Sequence, residues 1–182
     1  MGKKAIFLDK DGTLIPNIDR AKFRLEDHTI DGLRLLAGKF LFVVVSNQPD
    51  VARGLIKEQD LIKVRDKIGD LFLENSILLD GFYYCPHDMD PVTGETRCDC
   101  RKPQPGLIFQ AAMDKEIILE ESWMIGDILN DIEAGNRAGC HTILIDNGNE
   151  TEWKGGHFRT PTLIASNLRE AAGYILNSVP IL

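Results

Sequence analysis

Five short apolar runs, separated by longer segments with helical periodicity, constrain the fold of this chain more than any other feature. The runs lie at Ala5–Leu8, 40–45, 81–84, 123–125 and His141–Ile145. Their length suits buried strands, and strands that alternate with helices are typical of a parallel sheet covered by helices on both faces. We therefore predict an α/β fold with a doubly wound, mostly parallel sheet.

Helical periodicity predicts five helices between and after these strands, at 31–38, 57–75, 105–115, Leu129–Ala138 and 167–177. Gly139 is placed to end the fourth helix as a C-cap. In the second helix, apolar residues recur at helical spacing and are predicted to face the core; they are Leu61, Ile62, Val64, Ile68, Leu71 and Phe72. With 182 residues and 43% apolar content, the chain can bury one good core, so we predict a single domain over residues 1–182.

The charge balance disfavours several classes of partner. Asp and Glu outnumber Lys and Arg by 28 to 21, and the net charge is −7. Nucleic-acid binding normally needs a basic patch, and no dense Lys/Arg run occurs, so we expect no nucleic-acid partner. No apolar stretch is long enough for a membrane span, and the first run is too short for a signal peptide. We therefore expect a cytoplasmic protein that does not associate with membranes.

Two carboxylates follow the first strand, in Asp9-Lys10-Asp11-Gly12-Thr13. Because side chains alternate along a strand, Asp9 and Asp11 are predicted to project to the same side and Lys10 to point away. In an open α/β sheet the ligand crevice lies beyond the carboxyl ends of the strands. The pair therefore indicates a catalytic site, although Asp and Gly are also common in ordinary turns.

Three further sets of polar residues come at the ends of strands or before a helix. They are Ser46 and Asn47 after the second strand, Arg101 and Lys102 before the third helix, and Asp127 and Asp131 after the fourth strand. The two acids would lie on one face of a helix and can surround a divalent cation. Each set alone also fits an ordinary turn, a solvated surface pair or acids at a helix N-terminus. These three sets and the preceding carboxylate pair occur in this order along the chain, which is hard to produce by chance.

This ordered set resembles the four motifs of the haloacid dehalogenase (HAD) superfamily of phosphotransferases, over nearly the whole chain. The resemblance implies that Asp9 is the nucleophile that takes the phosphoryl group and that Asp11 is the acid/base. It also implies that Ser46, Asn47 and Lys102 bind the phosphate or the substrate. The implied activity is that of a Mg²⁺-dependent phosphatase with an aspartyl-phosphate intermediate.

The same resemblance implies a Mg²⁺ site formed by Asp9, the backbone carbonyl of Asp11, and Asp127, with Asp131 supporting nearby. Elementary electrostatics agrees with this assignment. A carboxylate that attacks a phosphate dianion needs its charge neutralised, and a divalent cation together with a lysine does that.

A second cluster consists of Cys85, His87, Cys98 and Cys100. Two i,i+2 pairs of soft ligands suit a tetrahedral Zn²⁺ site, and four protein ligands leave no open position for catalysis. We therefore predict a structural zinc loop at 85–100, which would fix the backbone beside Lys102. A disulfide is the main alternative, but cytoplasmic chains rarely keep one.

The HAD core with this zinc loop resembles a narrower group, which contains D-glycero-D-manno-heptose 1,7-bisphosphate phosphatases and histidinol-phosphate phosphatases. The resemblance rests on Cys85-Pro86-His87, on 98–103 and on Pro105-Gly106. Val51-Ala52-Arg53-Gly54 resembles the heptose branch, in which an Arg at this place contacts the substrate.

We therefore predict that the substrate is a small phosphorylated metabolite, specifically a sugar phosphate, and that Arg53 and Arg101 bind it. Histidinol phosphate is the alternative substrate. A polynucleotide 3′-phosphatase is disfavoured by the acidic balance, and a non-catalytic binding protein by the complete set of catalytic residues. A small core without a large cap is compatible with a monomer. The segment at 147–156 is predicted to be a polar surface loop.

Overall fold

The computed structural model describes residues 2–16, 23–95 and 97–178 and confirms the predicted α/β fold. Six strands form one sheet in the order β3-β2-β1-β4-β5-β6, and every pairing is parallel. The strands are β1 (Ala5–Leu8), β2 (Leu41–Asn47), β3 (Gly81–Cys85), β4 (Trp123–Gly126), β5 (His141–Ile145) and β6 (Leu163–Ala165).

Within the described ranges, six α-helices accompany the strands. They are α1 (Thr29–Leu36), α2 (Pro49–Ala52), α3 (Glu58–Leu73), α4 (Gly106–Lys115), α5 (Leu129–Ala138) and α6 (Leu168–Ser178). Among the described residues, no helix is both long and apolar enough to cross a bilayer. The five predicted helices are present with their ends shifted by at most two residues. The sequence analysis missed β6, α2 and a 3₁₀ turn at Leu119–Glu121, which are too short to show a periodic pattern.

The sheet is buried on both faces, as a doubly wound fold requires. Along β1, Ile6 and Leu8 pack into a core that includes side chains of α1, α3 and α6. Ala5 and Phe7 pack on the opposite face with α4 and α5. Ile62 was wrongly predicted to be core: it is 46% exposed, because only one stripe of α3 faces the sheet.

The topology places a crevice at the carboxyl ends of β1 and β4. The chain moves outward from β1 to β2 and β3 on one side, and from β4 to β5 and β6 on the other, so the winding reverses between β1 and β4. Ligands bind at such switch points in open α/β sheets. The backbone N–H of Asp9 donates to the carbonyl of Ile125 at 3.0 Å, which holds the two strand ends side by side.

Candidate active site

Three buried carboxylates meet at this switch point. Asp9 follows β1, Asp127 follows β4, and Asp131 lies in the first turn of α5. Each offers a carboxylate oxygen within 4.8 Å of those of the other two. Oxygen-only donor sets of this kind fit Mg²⁺, and a cation would relieve the repulsion among the three acids.

Lys102 supplies a positive charge to this cluster. Its side chain is buried, and its Nζ lies 2.5 Å from Oδ1 of Asp9 and 2.7 Å from Oδ1 of Asp131. It also donates to the backbone carbonyl of Val45 at 2.8 Å. Burial alone would lower the pKa of Lys102, but the charges of Asp131 and Asp9 outweigh it and raise the pKa above its ordinary value. Lys102 therefore stays cationic.

The acids remain incompletely neutralised. Burial raises the pKa of Asp9 well above its ordinary value, and the charges of Asp131 and Asp127 add to the rise although Lys102 opposes it. Burial and the charge of Asp131 raise the pKa of Asp127 to about 6. One ammonium thus does not balance three carboxylates, and a divalent cation would complete the site.

Asp11 lies beside this cluster and has its own partners. Its Oδ1 is 2.5 Å from Nζ of Lys10, and its Oδ2 accepts a hydrogen bond from Nε2 of Gln48 at 3.1 Å. The prediction that Lys10 points away is therefore wrong. The strand ends at Leu8, and the chain turns so that the N–H groups of residues 14 and 15 both donate to the carbonyl of Lys10, so strand alternation does not extend that far.

Lys10 and Asp11 open onto a cavity of about 270 Å³. Gln48 is among the other polar residues that line it, and its apolar lining includes Ile15, Phe23 and Leu61. The mixed lining suits a polar molecule with hydrocarbon faces.

The end of β2 organises both Lys102 and Asp11. Asn47 bonds the backbone of Lys102 twice: its Nδ2 donates to the Lys102 carbonyl at 3.0 Å, and its Oδ1 accepts from the Lys102 N–H at 2.9 Å. Its side chain thus holds the lysine segment, and substrate contact through it stays a prediction. Gln48, which the sequence analysis left out, joins the buried hydroxyl of Ser46 at 2.7 Å to Asp11. Its place directly after Ser46 and Asn47 was the available signal.

The four predicted zinc ligands come together. Sulfur to sulfur distances are 2.9 Å for Cys85–Cys100, 3.4 Å for Cys98–Cys100 and 3.6 Å for Cys85–Cys98. Nδ1 of His87 lies 3.5 Å from the sulfur of Cys85 and 3.3 Å from that of Cys100. A tetrahedron with Zn–S bonds of about 2.3 Å has sulfur separations of about 3.8 Å. All four thiols of the chain are free, so the cluster fits zinc rather than a disulfide.

Both predicted substrate arginines are tied to the zinc loop. Arg53 makes two bonds to the Asp88 carboxylate, at 2.5 and 3.0 Å. Arg101 donates from Nη1 to the carbonyl of His87 at 3.0 Å. The loop therefore orients both guanidinium groups, and their contact with a substrate stays a prediction.

The segment after β5 was treated as a surface loop, yet it touches the site. Asn147 donates from Nδ2 to the carbonyl of Gly12 at 2.7 Å. Asn149 donates from Nδ2 to Oδ2 of Asp127, also at 2.7 Å. No local sequence signal marks these contacts, because each joins residues far apart in the chain.

Comparison with known proteins places this geometry among phosphatases. Residues 99–171 match the model of the HAD-hydrolase-like family. The chain is 35% identical over 187 aligned residues to D-glycero-beta-D-manno-heptose-1,7-bisphosphate 7-phosphatase of Pasteurella multocida, covering 97% of this chain and 93% of that one. It is 35% identical to the corresponding alpha-anomer phosphatase of Campylobacter jejuni, covering 87% and 90%.

A solved structure agrees with these relatives. D,D-heptose 1,7-bisphosphate phosphatase from B. bronchiseptica, complexed with magnesium and phosphate, superposes with a TM-score of 0.79 and 27% identity. The match covers 97% of this chain and 99% of that one. The likeness therefore extends over the whole fold and includes a protein whose structure contains magnesium and phosphate.

Proposed function

The chain belongs to the heptose-1,7-bisphosphate phosphatase family of HAD-like hydrolases, and we propose that it removes the 7-phosphate from a D-glycero-D-manno-heptose 1,7-bisphosphate. The observation that carries this proposal is the buried Asp9 carboxylate at the switch point, 2.5 Å from the Lys102 ammonium and beside two further acids. A nucleophile, a fixed cation and an oxygen-only metal site are the parts that phosphoryl transfer needs.

In the first step, an Asp9 oxygen attacks phosphorus, and the bond from phosphorus to the sugar oxygen breaks. The departing oxygen takes a proton from Asp11, which leaves an aspartyl phosphate and a free hydroxyl. In the second step, Asp11 removes a proton from water as the water oxygen attacks phosphorus. Asp9 is released as a carboxylate together with inorganic phosphate, and Asp11 is again protonated.

The surrounding residues stabilise the charge that this reaction moves. Lys102 and the Ser46 hydroxyl bind the transferring phosphoryl oxygens, and Asn47 holds the Lys102 backbone in place. Asp131 balances the lysine from the side of α5. Mg²⁺, held by Asp9, the carbonyl of Asp11 and Asp127, would neutralise negative charge on the phosphoryl group.

The cavity beside Asp11 and the predicted zinc loop are proposed to bind and orient the rest of the substrate. The cavity beside Asp11 would hold the sugar, whose C–H groups suit its apolar wall. Zn²⁺ bound by the three cysteines and His87 would fix the loop that orients Arg53 and Arg101, and these would contact the rest of the substrate. Reduced thiols of this kind persist in the cytoplasm, where we place the enzyme.

The test is phosphate release from both anomers of the heptose bisphosphate, from histidinol phosphate and from a nucleotide 3′-phosphate. We expect one heptose anomer to react fastest, ³¹P NMR to show the 1-phosphate retained, and EDTA to stop the reaction. Asp9→Asn, purified in parallel, controls for contaminating phosphatases. Faster turnover of histidinol phosphate than of every sugar phosphate would overturn the substrate assignment.

A further inference from the structure

The segment at 147–150 joins the two loops that carry the nucleophile and a metal-binding acid. Asn147 bonds the Gly12 carbonyl three residues beyond Asp9, and Asn149 bonds Asp127 directly. Neither asparagine belongs to the four sequence motifs. The segment therefore ties together two parts of the site that are far apart in the sequence.

Asn149 determines which Asp127 oxygen is available. Its amide occupies Oδ2 at 2.7 Å, while Oδ1 accepts a longer bond, at 3.2 Å, from the Thr13 hydroxyl. A carboxylate with one oxygen held by an amide has a fixed plane and presents the other oxygen to a cation. Outer partners of this kind orient metal ligands and typically contribute 10 to 100-fold to metal affinity.

We propose that Asn149 is a positioning residue for the magnesium ligand Asp127. This inference rests on the proposed function, in which Asp127 binds Mg²⁺. It adds a residue that influences the reaction through its hydrogen bond to that ligand.

The loop that carries Asn149 is itself held to α5 by Glu150. One Glu150 oxygen accepts the Leu129 N–H at 2.7 Å, at the start of α5. The other accepts the N–H groups of Glu152 at 2.8 Å and Trp153 at 3.3 Å. Burial would raise the pKa of Glu150, but these backbone bonds outweigh it and lower the pKa, so the carboxylate stays ionised. A negative charge at a helix N-terminus is also favourable.

A different result is expected if Asn149 has a purely structural role and only stabilises the conformation of the loop. In that case, replacing Asn149 lowers the stability of the metal-free protein and leaves the affinity for Mg²⁺ unchanged. Removing a positioning residue weakens Mg²⁺ binding itself. Metal affinity therefore separates the two roles, and it can be measured without any substrate.

The experiment compares Asn149→Ala with Glu152→Ala, a control on the same loop whose exposed side chain pairs with Lys154. Calorimetric titration with Mg²⁺ alone at pH 8 gives the dissociation constant. We expect Asn149→Ala to bind Mg²⁺ about 10-fold more weakly than the parent, and Glu152→Ala to match the parent. In phosphate release, the Mg²⁺ concentration for half-maximal rate should rise by the same factor, with the substrate KM at saturating Mg²⁺ unchanged.

Binding of Mg²⁺ by Asn149→Ala within twofold of the parent would overturn the inference and leave the proposed function standing. Failure of the parent to bind Mg²⁺ would overturn both. If Asn149→Ala lowers the melting temperature of the metal-free protein, the Mg²⁺ titration is repeated with Asn149→Ser. Weaker Mg²⁺ binding by this variant supports the inference, and binding within twofold of the parent overturns it. Serine is small and polar, and its hydroxyl is too short to span the same gap.

Discussion

Asp9 and Asp11 lie two residues apart and have different surroundings, which suit the two different roles proposed for them. Asp9 is buried among acids beside Lys102, whereas Asp11 faces a cavity and is held by Lys10 and Gln48. A nucleophile needs a fixed position near a cation, and an acid/base needs access to the leaving group and to water. The surroundings of Asp9 fit the proposed nucleophile, and those of Asp11 fit the proposed acid/base.

Asp9→Asn should lower phosphate release by more than about 10⁴-fold, because an amide is not a competent nucleophile. Asp11→Asn should slow turnover by about 10² to 10⁴-fold through loss of proton transfer. Mass spectrometry of the protein quenched during turnover provides an independent check, since of the two variants only Asp11→Asn keeps a carboxylate at residue 9 that can take the phosphoryl group. More than a few per cent of parental activity in Asp9→Asn would exclude the covalent route.

Proton binding should compete with Mg²⁺ at this site. The pKa of Asp127 is raised to about 6, mainly by burial, and the pKa of Asp9 is raised as well. A protonated carboxyl must lose its proton to bind a metal, so the affinity should rise with pH up to about 6 and then level off. We expect the calorimetric dissociation constant to be about 10-fold larger at pH 5 than at pH 8, and an affinity that does not change between these pH values would contradict this assignment.

At the scale of the elements, the zinc loop and the end of β2 together set the position of Lys102. Cys100 lies two residues before Lys102, and Asn47 bonds the Lys102 backbone on both sides of its Cα. The Lys102 ammonium thus depends on a segment fixed at two points. One point is the cysteine cluster, and the other is the sheet.

Cys98→Ser should weaken zinc binding and lower both the melting temperature and the activity, because the loop then loses a ligand on which its folding depends. The dependence of the remaining activity on Mg²⁺ should persist, since the acids at β1 and β4 are separate from the cluster. Elemental analysis of freshly purified parent should give about one zinc per chain. Cys140→Ser is the matched control, because Cys140 is buried on α5's side of the sheet and lies outside the cluster. Absence of zinc from the parent would contradict the assignment.

The elements also show which parts of the site are predictable from sequence. The ends of β1, β2 and β4 could be placed because parallel strands bring their carboxyl ends to one edge of the sheet. Lys10 was misplaced because a periodic pattern does not show where a strand stops and a turn begins. Asn149 was missed because its partner, Asp127, is 22 residues away and is chosen by loop packing rather than by periodicity.

At the scale of the whole molecule, the burial of ionised acids lowers the free energy of unfolding of the metal-free protein. Folding raises the pKa of Asp127 from 3.8 to about 6. A group with a raised pKa binds its proton more tightly in the folded state, so ionisation destabilises the fold as pH rises through this range. Above pH 6 that cost is fully present, and a bound cation removes it.

Mg²⁺ should therefore raise the melting temperature at pH 8. At a concentration 100 times the dissociation constant, binding stabilises the folded state by about 2.7 kcal/mol, which corresponds to a shift of about 5 to 11 °C for a chain of this size. Differential scanning calorimetry with and without Mg²⁺ measures the shift, and Ca²⁺-free buffers without phosphate keep the comparison to one ligand.

Asp127→Asn provides a further test with the same calorimetry. Removing this acid has two effects on the melting temperature, and they have opposite signs. Without Mg²⁺, the variant should melt at or above the temperature of the parent, since it lacks one of three mutually repelling buried charges. With Mg²⁺ it should gain less than the parent, since it lacks a ligand. If Asp127→Asn melted well below the parent without metal and gained as much from Mg²⁺, Asp127 would be a structural residue and the acids would not form the magnesium site.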